Sequence, residues 1–366
     1  MGHLIPLTEF AKRLILTYDF SVTFIIPNFG YPMKAQKSFL DSLTETINVV
    51  YLPPVSFDTS LSDVGPEIHV PVSMTRVPAL RDSLSLCLAS GLKVLTESNH
   101  LVALVVDVVS TDAFDVAKVF CLLRYIFIPL CAMSLSLFLH LSKLDETGIS
   151  NYRDLPEPVQ IPGCVAIKGT ELPETFQNRN SESYKLALYH TKRYNLADGI
   201  IINSFIDLES KTFKVLMETG SGKSPVYPIG PLLQTGPTSG GGSGYECLRW
   251  LDEQPRGSVL FVSFGSSGTH THEQLTELAL GLEMSEQRFI WVVRSPAKNA
   301  SWSAPNCLAT LCRARNAYRE EGKLVRHRAK ALKDAAAMAT SQHGSSTMSL
   351  AQVNQIWKNH KTTPSS

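Results

Sequence analysis

Apolar residues fall into short unbroken runs at residues 22–27, 47–53, 101–108, 125–129, 199–205, 226–230, 258–266 and 289–295. Most of these runs do not alternate with polar residues, which is the pattern of strands covered on both faces. Between them lie segments with apolar positions at helical spacing, such as 7–18, 112–122, 181–197 and 272–284. Strand alternating with helix predicts parallel βαβ units, so the fold class is α/β, doubly wound. The stretch 125–141 mimics a membrane span, but it is shorter than the roughly 20 apolar residues a span needs. Pro129 splits it, and Arg124 and His140 flank or interrupt it. It reads as a buried strand ending at Pro129 followed by a buried helix.

The pattern also divides the chain. A Gly/Ser tract at residues 236–244 reads as a flexible linker or exposed loop. It separates a first domain (1–235) from a smaller one (245–300), followed by an irregular stretch and C-terminal helices (301–366). The smaller domain holds only two clear strands, at 258–266 and 289–295. Two strands without a fuller sheet are marginal, so the apolar faces of the helices at 272–284 and 323–339 are expected to lie partly exposed. Residues 313–334 carry Arg313, Arg315, Arg319, Lys323, Arg326, Arg328, Lys330 and Lys333 against Glu320, Glu321 and Asp334. With only Tyr318 near and no interleaved stacking residues, this is read as a solvated helix packing through its Ala/Leu face.

Composition narrows the function classes. Lys+Arg is 34 against Asp+Glu 33, a net charge of +1, which gives no chain-wide case for a nucleic-acid or anionic-membrane partner. The seven cysteines are scattered, with no CxxC pair, so neither a disulfide framework nor a zinc cluster is expected. Met1-Gly2-His3-Leu4-Ile5-Pro6 lacks a basic start followed by an apolar run, so no secretory signal is expected and the localisation is read as cytoplasmic.

Three places carry candidate chemistry. His3 stands at the start of the amphipathic run 7–18. Asp107 follows the apolar stretch 101–106, and ligands of open parallel sheets bind beyond the carboxyl ends of strands. The alternative role for Asp107, a helix N-cap, falls more naturally to Thr111 or Asp112. Gly265-Ser266-Ser267-Gly268-Thr269 joins a strand to a helix, a setting that can cradle a diphosphate on backbone N–H groups. It has neither GxGxxG nor GxxxxGK[ST] spacing.

Taken together these residues resemble a known family. Gly2-His3-Leu4-Ile5-Pro6-Leu7, Leu104-Val105-Val106-Asp107 and Thr111-Asp112-Ala113-Phe114-Asp115-Val116-Ala117 are similar to segments of the plant UDP-sugar-dependent glycosyltransferases. So are Leu155-Pro156-Glu157-Pro158, Ile161-Pro162-Gly163-Cys164, Val226-Tyr227-Pro228-Ile229-Gly230-Pro231-Leu232 and Ser285-Glu286-Gln287-Arg288-Phe289-Ile290-Trp291. Within the family the likeness is to the type that glucosylates hydroquinone. The resemblance implies a GT-B fold, two Rossmann-like domains facing a cleft, the second here truncated. It implies that His3 is the general base for a phenolic acceptor hydroxyl and that Asp107 holds and balances the imidazole. It places Glu67, Val109 and Phe138 at the acceptor pocket and Ser266 and Ser267 at the donor. UDP-glucose is then the co-substrate, with no metal and no cofactor, and transfer inverts the anomeric carbon.

The chain departs from the family pattern in three places. Relatives carry an aromatic two residues after the aspartate, where this chain has Val109. Their donor-binding box, with its Trp-Ala-Pro-Gln start and His-Cys-Gly-Trp-Asn-Ser centre, is not found between Pro296 and Ser366. They also open with a strand, central in the first sheet, ahead of the Gly-His pair. The positive chain terminus two residues from His3 and the helix start are both expected to disfavour the imidazolium, against Asp107. The alternative function is therefore a catalytically inactive remnant that binds phenols or a partner.

Overall fold

The unbroken apolar runs pair side by side as parallel strands. The structure is a computed structural model that describes residues 2–28, 34–43, 47–54, 78–98, 100–148, 150–218, 223–234, 246–265, 270–293 and 320–360. It forms two compact units. The larger holds His3–Gln234 and Asp334–Ser366, and the smaller holds Met1–Gly2 and Thr235–Lys333. The 236–244 tract and the irregular stretch up to residue 319 lie outside the described residues.

In the larger unit the order is α1 (Leu4–Tyr18), β1 (Thr23–Asn28), α2 (Lys34–Asp41), β2 (Asn48–Pro54), α3 (Pro78–Ser98), β3 (Ala103–Asp107) and α4 (Ala113–Val119). There follow β4 (Leu123–Ile128), α5 (Ala132–Thr147), α6 (Glu174–Gln177), α7 (Glu182–Lys192), β5 (Gly199–Ile202), α8 (Ser210–Leu216) and β6 (Val226–Pro228). The segment 125–141 resolves, as its proline requires, into β4 and α5. No helix among the described residues is long and apolar enough to cross a membrane.

Strands β3, β4, β5 and β6 form one parallel sheet in that order, and β1 and β2 form a second parallel pair. The unbroken runs are explained by what covers each face. Side chains alternate across a strand. Ile126 and Ile128 of β4 meet Phe114, Leu135 and Phe213 from α4, α5 and α8. Tyr125 and Phe127 point to the other face, against Phe10 and Leu14 of α1. Every position of β5 is buried. Gly199 begins it because a Cβ there would meet the rings of Tyr125 at 2.4 Å and Tyr227 at 2.8 Å.

The second face is completed from the far end of the sequence. Helix α11 (Glu320–Ala339) begins in the smaller unit and ends in the larger, and α12 (Ser345–Asn359) lays Leu350, Val353 and Trp357 on Phe10, Tyr125 and Tyr227. The loop after β6 is held from both helices on this face. Arg13 of α1 donates to the carbonyls of Ile229 and Pro231, each at 3.0 Å, and Ser346 Oγ of α12 donates to Gly230 O at 2.6 Å. Among the described residues, β1 and β3 are each paired on one edge only. One position is fully buried in each, against four in β4.

The smaller unit contains α9 (Glu246–Asp252), β7 (Val259–Val262), α10 (His272–Met284), β8 (Arg288–Trp291) and the first part of α11. Strands β7 and β8 are parallel, with Val259 opposite Arg288. Neither strand has a fully buried residue, and Phe261 is 68% exposed. Helix α10 buries Leu278 and Leu282 and exposes Leu280 and Met284. The apolar face of the basic helix lies partly exposed, as expected. Leu324 and Val325 are exposed, partial burial begins only at Leu332, and Ala339 is buried. A repeat of apolar residues shows that a face exists; the surface available to cover it decides how much is used.

Candidate functional site

Asp107 is the last residue of β3, opposite Phe127 of β4. The chain turns sharply after it. Ser110 N donates to Asp107 O at 3.0 Å, and Ala113 N donates to Ser110 O at 3.2 Å as α4 begins. The expectation that Thr111 or Asp112 caps α4 is corrected in part. Asp112 stands at the cap position but makes no side-chain cap bond. Its carboxylate accepts from Tyr189 Oη, and Thr111 Oγ1 pairs with His190 Nδ1 at 2.8 Å. Tertiary partners outbid the local cap for both side chains.

His3 stands at the cap position of α1, as its sequence setting implies. Its carbonyl accepts from Leu7 N at 3.2 Å, while its side chain makes no cap bond. The ring reaches instead across 104 positions of sequence. Nδ1 lies 3.0 Å from Asp107 Oδ1 and 2.9 Å from Oδ2. A carboxylate only accepts, so Nδ1 carries the hydrogen and Nε2 keeps the lone pair. The pair is open to small molecules, with side chains 49% and 31% exposed.

The pKa of His3 is raised above its ordinary value of 6.5. The hydrogen bond to Asp107 is the largest cause; desolvation opposes it, the Asp107 charge adds to it, and the chain terminus opposes it. The terminal charge opposes the imidazolium as expected, and Asp107 outweighs it. His3 must be neutral to accept a proton, so the basic fraction grows as pH rises through that raised pKa. Replacing Asp107 with alanine leaves only the two lowering causes. NMR titration of the His3 ring is expected to give a midpoint above 6.5 in the parent chain and below 6.5 in Asp107→Ala. An unchanged midpoint in the variant would show that Asp107 does not govern the ring.

Of the acceptor residues, Val109 is 38% exposed while its neighbour Val108 is buried, so the turn after Asp107 presents Val109 outward. Phe138 of α5 is half-buried, with ring centroids 5.8 Å from Phe176 and 6.2 Å from Tyr194. Glu67, Ser266 and Ser267 lie outside the described residues. The helix that follows the Ser266 turn is described, and its start is already occupied. Thr271 Oγ1 accepts from Gln274 N at 3.3 Å, Gln274 Oε1 accepts from Thr271 N at 3.0 Å, and Glu273 sits in the first turn. A capping box plus an acid complements the helix dipole from within the chain, which opposes a diphosphate there.

Sequence reasoning missed the residues around Asp107 that come from α7 and the turn after it. Tyr194 Oη donates to Val108 O at 3.0 Å, and Arg193 donates to Thr111 O at 3.3 Å and to Asp115 at 2.7 Å. The available signal was the concentration of Tyr189, His190, Arg193 and Tyr194 in a segment that otherwise reads as an ordinary amphipathic helix.

Comparison with known proteins follows this geometry. No family model matches the chain. It is 55% identical over 297 residues to a hydroquinone glucosyltransferase of Rauvolfia serpentina, covering 81% of this chain and 61% of that protein. The chain thus spans about three fifths of the length of the curated relatives it matches. Among solved structures, a Polygonum tinctorium UDP-glucosyltransferase capable of glucosylating indoxyl, in complex with 3,4-dichloroaniline, superposes with a TM-score of 0.81. The identity is 36%, covering 98% of this chain and 97% of that one. Phytolacca americana UGT2, complexed with UDP-2fluoro-glucose and pterostilbene, gives 0.83 at 32% identity, covering 98% of each chain. With this agreement in sequence and in parallel α/β architecture, the chain belongs to the plant UDP-glycosyltransferase family and has its GT-B fold.

Proposed function

We propose that this chain carries the acceptor side of a cytoplasmic UDP-glucose-dependent glucosyltransferase acting on small phenols of the hydroquinone or phenylpropanoid type. The observation that carries the reading is His3 Nδ1 held against both oxygens of Asp107, at 3.0 and 2.9 Å, with Nε2 left as the basic nitrogen. A phenol near pKa 10 is mostly protonated at neutral pH, and a positioned imidazole accepts its proton as the oxygen attacks, assistance worth about 10²–10⁴ in rate. The phenolic oxygen forms a bond to the anomeric carbon, and the bond from that carbon to the diphosphate breaks. UDP leaves with the electron pair, the proton goes to Nε2, and the anomeric configuration inverts. Asp107 stabilises the imidazolium that results. No metal or cofactor enters this scheme. Residues 1–235 form the acceptor domain in this reading, with Val109 and Phe138 at its pocket and Glu67 beside them. Residues 245–300 are the donor domain, reached through Ser266 and Ser267. Free thiols at Cys87, Cys121, Cys131, Cys164 and Cys247 fit a reducing compartment.

The second reading, a remnant that binds phenols without transferring sugar, is favoured by the self-capped start of α10 and the missing donor-binding box. A few hydrogen bonds from a glycine- and hydroxyl-rich sequence, about 0.5–1.5 kcal/mol each, would not offset association costs of about 4 kcal/mol or more. Calorimetry on this chain is therefore expected to show no micromolar affinity for UDP-glucose, while hydroquinone binds. Insertion of the family's donor-binding box after Ser295 is expected to confer UDP-glucose binding. Glucosylation of hydroquinone by the completed chain supports the transferase; phenol binding without any product supports the remnant. Absence of hydroquinone binding would sink both readings.

A further inference from the structure

We propose that the segment from Tyr189 to Tyr194 is a clamp that positions Asp107 for His3, with the buried hydroxyl of Tyr194 as its principal contact. The inference rests on His3 and Asp107 as the working pair. Asp107 is anchored on one side by β3, where it sits in register with Phe127. On its other side the chain leaves the sheet, and nothing in the strand ladder fixes residues 108–112. Among the described residues, the hydrogen bonds that reach residues 108–112 from beyond the turn and α4 come from this one segment.

The contacts are dense, and two of them are buried. Tyr194 Oη donates to Val108 O, the carbonyl next after Asp107, at 3.0 Å in a buried setting. His190 pairs with Thr111 Oγ1 at 2.8 Å, and both residues are almost fully enclosed. Tyr189 Oη donates to the Asp112 carboxylate, and Arg193 reaches the Thr111 carbonyl and Asp115. The Arg193 guanidinium also lies 5.7 Å from the centroid of the Tyr189 ring, which stiffens the two as a unit. The Tyr194 phenol is held well above the ordinary tyrosine pKa by burial, with the Asp107 charge adding to it. It therefore stays a donor across the working pH range.

The geometry explains why such a clamp matters. Asp107 offers both oxygens to one nitrogen at nearly equal distances, 3.0 and 2.9 Å. A small rotation of the carboxylate would lengthen one contact and weaken the field that raises the His3 pKa. Tyr194 also packs edge-on against Phe138, centroids 6.2 Å apart, so the same ring supports the expected acceptor wall. Tyr194 is a positioning residue in this account, acting through Val108 and Asp107.

The test is NMR titration of the His3 ring in the existing chain, without donor, so it is readable whether or not the chain transfers sugar. Tyr194→Phe removes the donated hydrogen and keeps the ring against Phe138. It is expected to move the His3 midpoint down, towards that of Asp107→Ala. Tyr184→Phe is the control: Tyr184 is equally buried earlier in α7, outside the clamp, and its hydroxyl meets Asp145 and Tyr152. It is expected to lower stability without moving the His3 midpoint. If Tyr194→Phe does not fold, the more exposed Tyr189→Phe decides, because it releases the Asp112 end of the same turn and is expected to shift the midpoint in the same direction. A folded Tyr194→Phe with the parent midpoint overturns the proposal. So does an equal shift in Tyr184→Phe, or an unmoved Tyr189→Phe where Tyr194→Phe is unfolded.

Discussion

His3→Ala, made in a chain completed with the donor-binding box and the family's leading strand, is expected to lower kcat for hydroquinone glucosylation by about 10²–10⁴-fold. The loss is expected in kcat more than in KM, because the imidazole acts on the proton as the phenolic oxygen attacks and contributes little to holding the ground state. Asp107→Ala is expected to fall in the same direction by less, since His3 then retains its ring but loses its tautomer and its counter-charge. The two losses will not add, because they disable one proton acceptor. The parent rate should climb with pH through the raised His3 pKa, and this limb should vanish in His3→Ala. Steady-state kinetics across pH would measure both. A His3→Ala variant retaining a tenth or more of the parent rate would mean that the phenol loses its proton elsewhere.

The second large effect concerns stability. Trp357→Ala in α12 is expected to destabilise the larger unit by about 3–5 kcal/mol, the usual cost of emptying a buried Trp or Phe site. Trp357 is 3% exposed, and its ring makes edge contacts with Tyr125 at 5.2 Å, Phe20 at 5.7 Å and Phe10 at 6.4 Å. These three come from β4, the turn after α1, and α1 itself, so no one neighbour can collapse to fill the space. Phe261→Ala in β7 is the contrast. The same kind of truncation at a 68% exposed site should change stability by about 0.5 kcal/mol or less. Thermal or denaturant melts of the three chains would read the difference. Equal effects at the two sites would mean that α12 is not seated on the sheet.

Much of the fold was legible in local pattern. Each of the eight apolar runs became a strand, and the helix at 272–284 matches α10, His272–Met284. Strand existence is written in near-unbroken apolar character, because both faces of β4 and β5 are covered and their buried positions carry aliphatic or aromatic side chains, Gly199 apart. His3 and Asp107 were each legible as candidates in their settings, but their pairing was legible only through resemblance. Nothing in periodicity joins His3 to Asp107 across 104 positions, and nothing in the α7 pattern marks Tyr194 as a donor to Val108 O.

The sequence by itself determined the parallel α/β class, the eight described strands and many of the helices, and the candidacy of His3 and Asp107. All of these follow from interactions within a few residues, from composition, or from motifs written contiguously. Tertiary structure decided where the faces went. Leu350, Val353 and Trp357 form a stripe at helical spacing that requires a partner, but the stripe does not say that the partner is the sheet face under α1. Thr111 and Asp112 have the chemistry of helix caps, yet His190 and Tyr189 take their side chains instead. The sign of the His3 shift was also a tertiary outcome, because it depends on two carboxylate oxygens at about 3 Å set against burial and a nearby positive charge. Periodicity specifies that a face must be covered or a polar group satisfied; only the packed chain chooses the partner, since that choice depends on distances between residues far apart in sequence.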